Sequence, residues 1–419
     1  MASTQTIAIA IVAVVAVAAV GAFLMLDTTT DDDGLGEVTG RLQVFGNVNN
    51  DDFIDDRDLL ALDTMKNDWD QDKYPFADAN RDGKLDEADK SIIQKIISGK
   101  TVKVYYVDGK GDIEDLTIPV KSIGLAGTMT FYTAVALGIE DSIGGITKSS
   151  SMDPVAHKSL ASKKIIGPKA YEVDMEIISE TDIDVVITQY SSTYDDVEEA
   201  VEKAGIPCIR LDTDTTTGAL NGYLLIGFIA GNAERGHEIA TFYDDVLAEI
   251  EQKLGTIPEA DRKRVMTTYS YSMCGTDYYL TKNTEAGGGI NVTDFPENTV
   301  KIKDNKDAVR NYPADWIIQY SGWGWGGLED PKDEFDYYGK YFDMADAYPA
   351  NYVVINKDLP DLVRSAYVAA LLYPEVFGAD YGEKVLQDWV DGFYTGMGDY
   401  DVRTDGVWIV TSGTAGITA

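Results

Sequence analysis

Apolar residues recur mostly four positions apart between residues 219 and 254, which is the pattern of an amphipathic helix with one buried face. These positions are Leu220, Leu224, Phe228, Ile239, Phe242, Val246, Ile250 and Leu254. Gly231 and Asn232 are the weak point of the pattern, because Gly is costly inside a helix and Asn is a good N-cap. The pattern predicts one long helix that kinks or restarts near its middle.

Short apolar runs typical of buried parallel strands flank this helix on both sides. The runs cover residues 183–192, 204–212, 263–271 and 314–323. The first and the last each place an Asp, Asp184 or Asp315, before an apolar run that leads into Gln-Tyr-Ser, which indicates that one unit is used twice. Because strands alternate with helices in both halves, the predicted fold class is α/β. Two Rossmann-like lobes (101–218 and 255–419) are expected, joined by the long helix (219–254).

The N-terminus carries a second apolar pattern with no periodicity. Residues 7–26 form a run of 20 apolar or small residues, and no charged residue precedes Asp27. A helix of that length spans about 30 Å, the thickness of the hydrocarbon core of a bilayer. A cleaved signal peptide normally has a basic start and a shorter apolar core, so residues 1–26 are predicted to be an uncleaved transmembrane anchor. A secreted protein is the alternative. Residues 27–40 are acidic and are expected to be a solvated linker.

Two twelve-residue loops, which start 31 residues apart, carry the most specific motif of the chain. Each has oxygen-bearing side chains at positions 1, 3, 5, 9 and 12, and hard oxygen ligands at this spacing, with the carbonyl of position 7, wrap a calcium ion. The predicted ligands are Asn47, Asn49, Asp51, Phe53, Asp55 and Asp58 in the first loop, and Asp78, Asn80, Asp82, Lys84, Asp86 and Asp89 in the second. We expect two calcium ions. The second loop is the better match, because Gly83 supplies the sharp turn at position 6, where the first loop has Asp52.

Asp at position 12, and a loop–helix unit without a preceding helix, resemble the dockerin module over residues 41–100 rather than an ordinary pair of EF-hands. The resemblance implies a partner protein that carries a cohesin domain. Loop positions 10 and 11 are Asp56-Arg57 and Glu87-Ala88, which depart from the Ser/Thr pair common in dockerins, so no familiar cohesin is predicted. A calcium-folded spacer without a partner and a chance acidic segment are the alternatives.

The charge balance is unusual, with 71 acidic against 35 basic residues and a formal net charge of −36. Such a field repels nucleic acids, so no nucleic-acid partner is expected. Cys208 and Cys274 are predicted to be free thiols, and His157 and His237 are predicted to be surface residues too far apart for a zinc site. No P-loop, nucleophile elbow or His-based dyad is present in the sequence, so the protein is predicted not to be an enzyme.

The order of elements after residue 101 resembles the iron-siderophore and cobalamin class of substrate-binding proteins of ABC importers. Residues 122–147 read as a strand, a Gly-Thr loop, a helix and a second strand. Residues 163–188 and 198–212 fit that family's next helices and strands, and AALLYPEVFG (369–378) resembles its closing helix. The resemblance covers about residues 101–395. It implies an iron-siderophore, haem or corrinoid ligand and an ABC permease as a partner.

Ligands of open parallel sheets bind at the carboxyl ends of the strands, so the loops after the strands are the expected site. Tyr and Trp side chains there suit a bulky, flat or partly apolar ligand. The predicted ligand-binding residues are Thr128, Met129, Tyr190, Ser191, Tyr269, Tyr271, Tyr320, Trp323 and Trp325. The alternative for each aromatic residue is that it packs within its own lobe.

Two hypotheses of different classes follow. The first is a membrane-anchored extracellular solute-binding protein that captures a metal chelate for an ABC importer and carries a calcium-dependent docking module. The second is a cell-surface assembly protein whose main role is dockerin–cohesin docking. An enzyme on the same scaffold is a third reading, for which the sequence offers no motif.

Overall fold

The computed structural model describes residues 41–296, 300–302, 309–339 and 351–412. The chain forms two compact units. The first consists of Met1–Met152 and His157–Phe242, and the second of Asp153–Ala156 and Tyr243–Ala419. The predicted anchor and acidic linker, residues 1–40, lie outside the described residues. Within the described part, no helix combines the length and the apolar character needed to span a bilayer.

From residue 123 onward, the strands of the first unit alternate with helices or short 3-10 turns. Its helices are α1 (Asp56–Met65), α2 (Glu87–Ile97), α3 (Thr128–Ala136), α4 (Met175–Ser179), α5 (Asp195–Lys203) and α6 (Thr216–Ile229), and α7 (Ala233–Leu254) begins in it. Its strands are β1 (Val102–Val107), β2 (Ile113–Ile118), β3 (Ile123–Leu125), β4 (Ile143–Thr147), β5 (Ile165–Gly167), β6 (Val185–Gln189) and β7 (Cys208–Leu211). Short 3-10 turns lie at Glu140–Ser142, Lys158–Leu160 and Ser192–Tyr194.

The main sheet of the first unit is parallel, with the strand order β5-β4-β3-β6-β7. This order corresponds to the first five strands, 3-2-1-4-5, of the classic Rossmann sheet, in agreement with the Rossmann-like prediction for this unit. The strand order reverses between β3 and β6, and ligands of such sheets bind outside the carboxyl ends of the strands at this position. β1 and β2 form an antiparallel hairpin, which the Asp108-Gly109 turn signal between two strand-like runs predicts from the sequence.

The second unit has a parallel centre with antiparallel edges. Its strands are β8 (Arg264–Tyr269), β9 (Ser272–Met273), β10 (Ile290–Asn291), β11 (Val300–Lys301), β12 (Trp316–Ser321), β13 (Asn351–Asn356) and β14 (Ile409–Val410). Its helices are α8 (Tyr279–Ala286), α9 (Pro331–Gly339), α10 (Asp361–Leu372), α11 (Pro374–Phe377) and α12 (Tyr381–Phe393), with 3-10 turns at Glu259–Asp261 and Thr395–Met397. The strand order is β11-β9-β8-β12-β13-β14, and β10 also pairs with β8.

The two units repeat one structural detail, as the sequence indicated. Asp184, which precedes β6, accepts a hydrogen bond from the backbone N–H of Ser122 (3.1 Å) at the start of β3. Asp315, which precedes β12, accepts one from the N–H of Arg264 (2.9 Å) at the start of β8. In both units the Asp therefore ties the amino end of one parallel strand to that of its neighbour.

The predicted helix over 219–254 restarts near its middle, at the Gly231-Asn232 weak point that the sequence indicated. The helix ends at Ile229 and restarts at Ala233, and Gly231 adopts a positive φ of 74°. Helices α6 and α7 then pack closely, since a Cβ on Gly227 would lie 3.3 Å from the Cα of Gly236. The boundary between the two units falls inside α7, between residues 242 and 243.

Both cysteines are free and buried, as predicted. The prediction that His157 is a surface residue is wrong. Its side chain is 0% exposed, and its ring centroid lies 4.1 Å from that of Tyr132 and 5.6 Å from that of Phe131. His237 is partly exposed on α7, in agreement with its predicted place on the polar side of the helix.

Candidate functional site

The carboxyl ends of β3, β4 and β6 form the first rim, which we define as residues 127–129, 148–149 and 189–191. Gly127 opens it with a φ of 102°. A Cβ at this position would lie 2.7 Å from the Tyr194 hydroxyl and 2.8 Å from Gln189 Oε1, so only glycine fits there. The hydroxyl groups of Thr128 and Ser149 are 2.6 Å apart. The turn at β3 is therefore a fixed backbone feature that presents small hydroxyl groups.

Tyr190 stands out from this rim on a loop that the rest of the unit holds in place. Its side chain is 53% exposed. The buried Arg210 fixes the loop, because it donates to the carbonyl of Gln189 from Nε (2.9 Å) and to the carbonyl of Ser191 from Nη2 (2.6 Å). Arg210 is 1% exposed and pairs with Glu198 at 2.6 Å. The sequence places Tyr190 correctly at a strand end, but it gives no sign of Arg210 as its support.

The second rim consists of residues 269–271, 278–279, 322–323 and 357–358, at the carboxyl ends of β8, β12 and β13. This rim contains a half-buried group of three tyrosines, Tyr269, Tyr278 and Tyr279. The ring centroids are 6.3 Å apart between Tyr269 and Tyr278 and 4.8 Å apart between Tyr278 and Tyr279. Tyr271 lies 5.8 Å from Tyr337 between ring centroids, and their hydroxyl groups are hydrogen-bonded. Burial raises the pKa of Tyr278, so this phenol stays neutral and keeps its proton for hydrogen bonding.

Three of these tyrosines were not among the ligand-binding residues predicted from the sequence. Tyr278 and Tyr279 lie at the start of α8, and Tyr337 lies on α9, so none of them directly follows a strand. The doublet Tyr278-Tyr279, shortly after a predicted strand, was the only signal available for them.

Two predicted ligand residues belong to the core instead. Tyr320 is 0% exposed, because it lies inside β12, which continues through Ser321. The Tyr320 hydroxyl lies 3.3 Å from the Thr284 hydroxyl on α8. Burial raises the pKa of Tyr320 to about 12. Trp325 is also 0% exposed, and its ring packs against three other aromatic rings. Trp323 remains half-buried, with its Nε1 donating to the Val407 carbonyl at 2.6 Å.

The turn after β13 adds a charged pair to the second rim. The Lys357 Nζ lies 3.0 Å from Asp358 Oδ1, and the Gly324 N–H donates to Asp358 Oδ2 at 3.0 Å. The Lys357 N–H donates to the Ser321 carbonyl at 2.8 Å, so the turns after β12 and β13 are joined. Neither charged residue was predicted, because a Lys-Asp dipeptide after a strand carries no motif.

The two acidic loops before the first unit's hairpin fold alike. In the second loop, the N–H groups of Asp82 and Gly83 donate to the Asp78 carboxylate at 3.2 and 2.7 Å. The position-12 residue Asp89 accepts from the N–H groups of Asn80 (3.2 Å) and Asp86 (2.8 Å). Asp58, the position-12 residue of the first loop, accepts the equivalent bonds at 3.2 and 2.7 Å. The position-9 residues cap the helices that follow, which explains why each loop runs directly into a helix.

The position-12 carboxylates are buried without a cationic partner among the described residues. Asp58 and Asp89 are both 0% exposed. Burial raises the pKa of Asp58 to about 6, and it also raises the pKa of Asp89. In the part of the chain that the structure describes, no group of three or more His, Cys, Asp or Glu side chains is gathered closely enough to hold a metal ion. The carboxylates are turned toward the amide groups of their own loops.

The first loop is attached to the first unit itself. Asp52, which is 5% exposed, accepts from Arg41 Nε (3.0 Å) and Nη2 (2.6 Å) and lies 2.8 Å from His237 Nδ1 on α7. The ring of Phe53 lies 4.9 Å from that of His237. Upstream, the Phe45 N–H donates to the Tyr105 carbonyl of β1 at 2.9 Å. Residues 41–100 are therefore packed on the unit rather than suspended from it.

Comparison with known proteins supports the fold. A family model described as periplasmic binding protein matches residues 127–327, slightly less than half of the chain. Proteins of this family are solute-binding proteins of transport systems and not enzymes. No curated protein matches the chain by sequence.

Solved structures of such proteins superpose on most of the chain. A TroA-like periplasmic binding protein, FepB from Veillonella parvula, is 17% identical with a TM-score of 0.54, covering 69% of this chain and 95% of its own. The molybdate periplasmic binding protein MolA of Haemophilus influenzae is 16% identical with a TM-score of 0.54, covering 69% and 97%. CeuE of Helicobacter pylori, solved with Ni(II) bound, is 15% identical with a TM-score of 0.52, covering 69% and 95%. The chain therefore has the fold of a TroA-like periplasmic binding protein.

Proposed function

We propose that the protein is an extracellular solute-binding protein that captures a metal chelate, such as an iron-siderophore, haem or a corrinoid, and delivers it to an ABC importer. The observation that carries this proposal is the grouping of tyrosines at the carboxyl ends of parallel strands, where ligands of such sheets bind. The similar structures include proteins that bind molybdate and Ni(II), which supports a metal-containing ligand.

The chemistry of the rims favours a wrapped metal over a bare ion. On the second rim, the aromatic rings of Tyr269, Tyr278 and Tyr279 offer flat apolar faces and phenol hydroxyl groups. Neither rim contains a histidine or a cysteine, the side chains that bind most transition-metal ions. An organic shell around the metal would supply the surface that aromatic rings bind.

We further propose that residues 1–26 anchor the protein in the membrane with the described part on the outer face. The support is the uninterrupted apolar run of residues 7–26, followed by an acidic, polar linker. A protein that captures solutes outside the cell is either anchored in the membrane in this way or secreted.

Calcium binding by the second loop is also part of the proposal. The buried Asp89 and Asp78 carboxylates, 0% and 5% exposed, have no cationic side chain paired to them among the described residues, and a calcium ion would compensate their charge. The first loop is the weaker site. Its position 1 is the uncharged Asn47, and the Arg57 guanidinium binds Asp55 at 2.7 Å and Asp51 at 3.2 Å.

Docking to a cohesin-bearing protein is the second candidate function. The exposed side chains at loop positions 10 and 11, and Leu60 on α1, which is 69% exposed, support it. In this alternative the two α/β units would be a spacer, and the main function would be docking of the calcium loops to the partner protein.

A fluorescence titration tests the principal proposal. Ferric siderophores, haem and corrinoids are added to the purified protein while tryptophan emission is followed, with Trp323 as a half-buried reporter on the second rim. Tyr278→Ala should weaken the binding of whichever chelate responds. Tyr312→Ala is the matched control, because Tyr312 precedes β12 and so lies at the opposite, amino-terminal side of the sheet. No response to any chelate would rule out the proposal and favour the docking alternative.

Calcium binding is tested separately by calorimetric titration and by thermal melting with and without a chelator. Asp89→Asn should abolish the stronger site, and Asp58→Asn should affect only the weaker one. A melt that chelation leaves unchanged would refute calcium binding without touching the solute proposal.

A further inference from the structure

Lys357 is a cation held in a fixed position among the tyrosines of the second rim. Its side chain is 30% exposed, and among the described residues its ammonium group donates to one side chain, Asp358, at 3.0 Å. An ammonium group has three N–H donors, so two of them remain for another acceptor. This is the arrangement of a cation that is prepared to bind a ligand oxygen.

The backbone around Lys357 is locked from both sides. Its N–H donates to Ser321 (2.8 Å), and its carbonyl accepts from Nη1 of the buried Arg364 (2.6 Å). Gly322 provides the space for the side chain, because a Cβ there would lie 3.0 Å from the Lys357 Cε and 2.8 Å from the Asp358 carboxylate. The ammonium group is thus positioned before any ligand arrives, which reduces the entropy cost of binding.

The charge of Lys357 is retained in this partly buried place. Burial by itself lowers the pKa of Lys357, but the adjacent Asp358 carboxylate outweighs it, and the pKa lies above its usual value. Tyr269 and Tyr279 are close enough to act on its titration, and the Arg364 guanidinium lies 5.7 Å from the ring centroid of Tyr279. Lys357 is the one cationic residue of this rim, and it is held beside Asp358.

We propose that Lys357 binds an anionic oxygen of the captured chelate, so that the second rim selects chelates with carboxylate or phenolate oxygens over neutral ones of the same shape. This inference rests on the proposed function and adds the chemical class of the ligand. The competing explanation is that Lys357 only neutralises Asp358 to hold the joined turns together.

The experiment uses the full chain and chelates matched in pairs. One pair is haemin and its dimethyl ester, which differ in two carboxylates. The other is an anionic ferric tris-catecholate and a neutral ferric tris-hydroxamate. Wild type should prefer the anionic member of any pair it binds. Lys357→Met should weaken that member by roughly 10- to 100-fold and the neutral member by less than about 3-fold.

Lys357→Arg should restore most of the affinity, since it keeps a cation at the site. Lys384→Met is the matched control, because Lys384 pairs with Asp380 on the exposed face of α12 and is remote in sequence from the rim. Wild-type affinity for the anionic member should also fall with rising salt more than that for the neutral member, a readout that does not depend on any variant folding.

Equal affinity of wild type for both members of a pair, or equal weakening of both by Lys357→Met, would overturn the inference and leave the proposed function standing. Binding of none of the four chelates would overturn the inference, and if corrinoids also fail to bind in the fluorescence titration, the proposed function is refuted with it.

Discussion

Replacing Asp52 by Ala should loosen residues 41–100 from the rest of the first unit without unfolding that unit. The substitution removes two hydrogen bonds from Arg41 and one contact with His237, all between 2.6 and 3.0 Å. Hydrogen bonds to charged groups contribute about 1.5–3 kcal/mol each. Arg41 and His237 are 30% and 41% exposed, so water partly replaces the lost contacts, and we expect a net cost of about 2 kcal/mol.

Native-state hydrogen exchange measures this cost locally, which suits a chain of two units. The amides of Phe45 and Val107 donate across the junction to Tyr105 and Gln43, and they should exchange about 30-fold faster in the variant. Amides inside β6 should be unchanged. Asp115→Ala is the control, since it removes an exposed pair with Lys103 and should change exchange very little. Unchanged exchange at the junction, or equal acceleration throughout the unit, would refute the reasoning.

Three further predictions follow from burial. The pKa of Asp58 in the folded protein, about 6, exceeds its ordinary value of 3.8. In metal-free buffer the protein should therefore lose stability as pH rises from about 4 to about 6. Thermal melting of Asp58→Asn should lack this pH dependence. Burial raises the pKa of Cys208 to about 12 and raises that of Cys274 as well, so a thiol reagent should label both only after denaturation; labelling of the native protein would contradict this. Asp153→Ala removes a 2.7 Å hydrogen bond from the backbone N–H of Trp325 and should lower the denaturant concentration at the midpoint of unfolding, followed by tryptophan fluorescence. An unchanged midpoint would contradict this prediction.

Elements with strong local patterns were predicted well from the sequence. The strands β6, β7, β8 and β12 lie inside the four apolar runs, because a buried parallel strand must be apolar on both faces. The hairpin of β1 and β2 was found from its turn at Asp108-Gly109. These features depend on neighbours in sequence, which a single chain displays directly.

Features that depend on tertiary packing were predicted poorly. The sequence Gln-Tyr-Ser begins at the last residue of β6 and occurs again as the last three residues of β12, yet Tyr190 is exposed and Tyr320 is buried. The difference is that β6 ends at Gln189, whereas β12 extends through Ser321, and strand length is set by the partner strand β13. His157 was misplaced for a similar reason, since its aromatic neighbours lie far from it in sequence.

The attachment of residues 41–100 to α7 bears on the docking alternative. Positions 6 and 7 of the first loop, Asp52 and Phe53, face His237 of the same chain. Arg57, at position 11, is 57% exposed, and Leu60 lies one turn farther along α1 on the same face. A partner could therefore bind the exposed face while the first loop keeps its contacts with α7. Since residues 41–100 contact α7 within the first unit, a partner bound to this face would be held close to the folded part of that unit.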